Sequence, residues 1–82
     1  MGIEAMRTEI DAIDAEMAAL LKARFRLSTR IGAEKKAKGT AVADPGREEE
    51  IIARVRALAA PYGAEAEAIW RLLFTLSRNV QK

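Results

Sequence analysis

Apolar residues recur along the first part of the chain at Met6, Ile10, Ile13, Met17, Leu20, Leu27 and Ile31. Steps of four and three mark the seam of a long amphipathic helix. The spacing predicts one helix over 6–38. No proline falls inside it, and its only glycine is Gly32. Lys35, Lys36 and Lys38 complement the dipole of its last turn, and Gly39 follows as a C-terminal cap. Such a helix is about 50 Å long, whereas a compact domain of this size has a radius of gyration of about 12 Å. One seam position breaks the pattern: Arg24 stands where a leucine or isoleucine belongs.

After a short linker of small residues, Asp44-Pro45-Gly46 gives a strong helix start, with Asp44 as N-cap and Pro45 in the first turn. A second helix is expected over 45–60, burying Ile51, Ile52, Val55, Leu58 and Ala59. Pro61-Tyr62-Gly63 ends it. A third helix is expected over 64–81, with Ile69, Trp70, Leu73, Leu76 and Val80 on one stripe. The pattern therefore reads as an all-α chain, a single domain over 1–82 with three helices. The remaining residues cannot cover the long helix, so an obligate homodimer is expected.

Composition narrows the chemistry. The 82 residues contain no cysteine and no histidine, which excludes disulfides, thiol nucleophiles, imidazole bases and the common zinc sites. Neither a metal nor a cofactor is expected. A net charge of +2 with alternating signs describes a solvated helical surface, not a nucleic-acid interface. No apolar run approaches the roughly 20 residues needed to span a bilayer, and no N-terminal secretory segment is visible. A cytoplasmic protein with no membrane partner is expected.

Several polar residues ask for a reason. A buried arginine is unfavourable without an anionic partner, and Lys35 lies three turns beyond Arg24, within about 20° of the same face. Two cations on one apolar face suggest an anionic ligand; the plainer alternative is that Arg24 pairs with a glutamate of another helix and Lys35 caps. Arg7 lies about 25 Å up the axis from Arg24, so it reaches that site only from a second, antiparallel chain, or else is an ordinary surface residue. Ser77 and Gln81 share a face of the third helix, as part of a site or as a solvated edge. Asp44, Arg47 and Glu48 cluster at a helix start, where capping already explains part of their presence.

Taken together, these residues resemble a known family. The stretch from Arg7 to Asp14, the segment Leu20 to Arg24, Ile31 to Lys35, Asp44 to Glu48, and Phe74 with Ser77 and Gln81 are similar, in order and spacing, to the all-helical (type II) chorismate mutases. That resemblance implies a homodimer of three-helix chains with interlocked long helices, and an activity that rearranges chorismate to prephenate in aromatic amino-acid biosynthesis. It implies that Arg7 of the partner chain, Arg24 and Arg47 hold the two substrate carboxylates, with Ser77 nearby. Lys35 and Gln81 would donate to the ether oxygen. Glu48, with the backbone near Asp44, would meet the ring hydroxyl. On this reading Lys35, Gln81, Arg24 and Glu48 are catalytic, and the substrate is a small dicarboxylate. The reaction is pericyclic, so the lack of histidine and cysteine is no obstacle.

Competing readings remain within and outside the fold. Relatives of the family cleave isochorismate to salicylate and pyruvate, or rearrange the 4-amino analogue of chorismate. A non-catalytic helical dimerisation module would explain the seam but not Arg24. The final turn, carrying Gln81, is expected to need ligand or partner for its order. Many relatives continue beyond this end, so fusion to, or association with, another enzyme of the aromatic pathway stays open.

Overall fold

The computed structural model describes residues Gly2–Lys82, and those residues form three α-helices and no strand. Helix α1 spans Ile3–Lys38, α2 Pro45–Leu58 and α3 Gly63–Gln81. The expected all-helical class and long first helix are therefore present. Met1 lies outside the described residues.

Helix α1 begins three residues before the expected Met6. Met6 N–H already donates to the Gly2 carbonyl at 3.1 Å, and Glu4 sits in the first turn, where it pairs with Arg7 at 3.1 Å. Its far end is a Schellman cap: Gly39 adopts φ 68°, and Thr40 N–H reaches back to Lys35 O at 2.8 Å. Asp44 caps α2 as expected, accepting from Arg47 N–H at 3.2 Å. Helix α2 stops at Leu58, two residues early, because Ala60 precedes Pro61 and the helical region is disfavoured there. Helix α3 starts at Gly63, one residue early; a side chain there would meet the Arg56 carbonyl at 3.2 Å, so the glycine permits a close turn.

Both α1 and α2 pack on α3, and they make no direct backbone approach to each other. The small core consists of Ile52 and Val55 from α2 with Ala66, Leu73 and Phe74 from α3. This corrects two expected faces. Leu58 is 78% exposed, because its side of α2 turns away from α3. On α3 the expected stripe divides: Leu73 is buried, while Ile69, Leu76 and Val80 lie on a different, largely exposed face with Leu72.

Helix α1 meets its own chain only along its second half. Ser28 and Gly32 are its two buried residues, and small side chains there let α3 approach closely. The apolar seam from Ile3 to Ile31 is left 44–69% exposed. The molecule is correspondingly extended, 54 Å long with a radius of gyration of 15.6 Å. No helix among the described residues is long and apolar enough to cross a membrane.

Candidate active site

Because α1 and α2 are held apart by α3, a cavity of about 510 Å³ opens between them at one end of the molecule. That size suits a small ligand. Helix α1 contributes Arg24, Leu27, Ser28, Ile31 and Lys35, and the linker adds Val42 and Asp44. The first turns of α2 supply Arg47, Glu48 and Ile51, and the last turns of α3 supply Phe74, Ser77, Arg78 and Gln81. Seven of the eight sequence-predicted site residues thus line one cavity. The eighth, Arg7, is exposed near the opposite end of α1 and does not reach it. A second depression, of about 520 Å³, lies along α1 from Leu27 to Thr40 and shares Leu27, Ile31 and Lys35 with the first. It lacks the groups from α2 and α3.

The polar contacts inside the cavity leave specific valences open. Arg24 Nη1 donates to Ser77 Oγ at 2.9 Å, and Ser28 Oγ lies 3.4 Å from the same oxygen. Among the described residues Arg24 has no carboxylate within ion-pair distance. Desolvation by burial lowers its pKa from the ordinary value, and a guanidinium still remains charged at neutral pH. The plainer alternative, a pairing of Arg24 with a glutamate of another helix, is not seen among the described residues. Lys35 Nζ donates to the Val42 carbonyl at 2.7 Å, which pins the linker against α1 and leaves its other two N–H groups uncommitted.

Gln81 closes the inner wall. Its Oε1 is buried with no hydrogen-bond partner, an arrangement that calls for a missing partner. The two ends of an amide exchange by a half-turn, so the same position can present a donor. Gly32 makes this placement achievable: a Cβ there would stand 2.5 Å from the Gln81 Cα and 2.6 Å from its carbonyl oxygen. Only glycine lets the end of α3 lie this close to α1.

Four cations and two carboxylates line the cavity: Arg24, Lys35, Arg47 and Arg78 against Asp44 and Glu48. Arg78 pairs with Glu48 and Arg47 with Glu50. Among the described residues Arg24 and Lys35 are thus the lining cations with no carboxylate in ion-pair distance, an electrostatic setting that suits an anion. Among the described residues no cluster of carboxylates suits a metal ion. Sequence reasoning missed Arg78, Ser28 and Gly32. Arg78 pairs with Glu48, 30 residues earlier, a separation that no local pattern reveals. Gly32 carried a usable signal, as the lone glycine inside an otherwise uninterrupted helix.

Fold and site together define a three-helix protein with one cavity lined by polar and charged groups from all three helices. The family model for chorismate mutase type II matches residues 6–82, and the chain belongs to that family. No curated protein and no solved structure matches it.

Proposed function

We propose that the chain is a chorismate mutase that converts chorismate to prephenate for phenylalanine and tyrosine synthesis. One observation carries this reading: the cavity holds two cations with no acid beside them, Arg24 and Lys35, and the buried Gln81 Oε1 has no hydrogen-bond partner on its inner wall. A site of this kind suits a reaction that needs no nucleophile, proton shuttle or metal. It has to hold a flexible dianion in its compact, reactive conformer. It also has to stabilise the negative charge that grows on the ether oxygen as the carbon–oxygen bond breaks.

Arg24 and Arg47 take the carboxylates through forked hydrogen bonds, with Ser77 beside Arg24. Lys35 and the Gln81 amide donate to the ether oxygen. Glu48 accepts from the ring hydroxyl near Asp44. The protein acts as a homodimer, in the cytoplasm, with the partner's Arg7 completing each site. The exposed seam of α1 and the exposed face of α3 support this, because a second copy would cover both. The decisive experiment adds purified protein to chorismate and follows loss of its ultraviolet absorbance, with product identification. Prephenate is the expected product. Salicylate with pyruvate from isochorismate, or turnover of the 4-amino analogue alone, would move the chain to a sister activity. Inertness toward all three substrates would remove the enzyme.

A further inference from the structure

Glu48 does not stand alone in the cavity. Arg78, one residue beyond Ser77 on α3, donates from Nη1 to Glu48 Oε2 across the helix interface, and its Nη2 rests 3.3 Å from Thr75 Oγ1. The side chains are 34% and 22% exposed, so the pair is partly shielded from bulk water. A charge-assisted hydrogen bond of this kind orients the carboxylate and compensates its charge. Glu48 can still accept a hydrogen bond from a neutral donor. A cation seated on the same carboxylate would lie within a few ångströms of the guanidinium and be repelled by it.

We infer that Arg78 is a specificity-determining residue. By compensating Glu48, it tunes this end of the cavity to a neutral hydroxyl on the substrate ring and against a protonated amine at the same position. The inference rests on the mutase reading, in which Glu48 meets that ring substituent. No neighbouring cation does the same for Glu48: Arg47 lies 3.6 Å from Glu50, Arg24 donates to Ser77 and Lys35 to Val42. A simple brace between α2 and α3 would also produce an Arg78–Glu48 pair. Those helices, however, are already tied by Arg56–Glu67 at 2.6 Å and Arg71–Glu49 at 2.9 Å, and neither of those pairs lines the cavity.

The test compares kcat/KM for chorismate and for 4-amino-4-deoxychorismate in the wild type, Arg78→Met and Arg78→Lys. The methionine variant should shift the ratio toward the amine by at least about tenfold, and the lysine variant should keep the wild-type ratio. If Arg78→Met lowers both substrates by one factor, or changes neither, the pair is only a brace and the inference fails. A lysine variant that shifts as far as methionine would overturn the charge explanation. Arg78→Gln replaces the methionine variant if the latter melts early. A wild type inert on both substrates removes the mutase reading and the inference with it, whereas an active wild type with unchanged ratios removes the inference alone.

Discussion

At position 24 a helix seam calls for an aliphatic side chain, and the chain carries an arginine bonded to a neutral serine hydroxyl. A half-buried guanidinium without an acid opposes folding and awaits a ligand. Arg24→Met should therefore separate stability from activity. Removing the charge should leave stability unchanged or raise it by about 1 kcal/mol, visible as a melting temperature up by a few degrees. Turnover of chorismate should fall by at least about a hundredfold, because the dianion loses a group that holds it in its reactive conformer. A variant that melts lower yet turns over normally would make Arg24 an ordinary structural residue. Arg24 and Lys35 were legible in the sequence because each interrupts or extends one helical period. Gln81 was legible only through resemblance, and Arg78 not at all, since its meaning depends on where α2 docks against α3.

Among elements, the crossing of α1 over α3 sets the position of the inner wall. Alanine in place of glycine in a helix interior normally stabilises by about 1 kcal/mol. Gly32→Ala should do the reverse, because its methyl group would collide with Gln81 backbone atoms 2.5 and 2.6 Å away. A loss of about 1–3 kcal/mol is expected from overpacking, together with loss of activity as Gln81 is displaced; urea titration and the chorismate assay check the two effects. The α2–α3 pair responds to pH through Glu67. Its hydrogen bonds from Arg56 and then Arg71 hold its pKa below the ordinary value. Its contribution is thus present above the ordinary carboxylate pKa and is lost as pH falls through the lowered folded value. Urea midpoints between about pH 3 and pH 6 should flatten in Glu67→Gln. Helix number and order followed from periodicity and from Asp44-Pro45 and Pro61-Tyr62-Gly63. The buried face of α3 did not. Its apolar residues, Ile69, Leu72, Leu73, Phe74, Leu76 and Val80, cover more than one face, and periodicity cannot say which of two faces meets its own chain.

For the whole molecule, the exposed seam of α1 and the isolation of Arg7 pose one question. A helix 36 residues long places Arg7 far from the cavity at its other end, so within one chain Arg7 has no route to a ligand bound at Arg24. In the proposed dimer, each site draws Arg24 from one copy and Arg7 from the other. Arg7→Ala and Arg24→Ala should then each be nearly inactive alone. Unfolded together in equal amounts and refolded, about half of the dimers should be mixed. Each mixed dimer holds one site with both arginines lost and one site with both intact. The mixture should therefore recover about a quarter of wild-type activity, while either variant refolded by itself recovers none. Without recovery, despite a dimeric mass in sedimentation equilibrium, Arg7 plays no part across the interface. A monomeric mass would leave the seam uncovered and remove the shared site altogether.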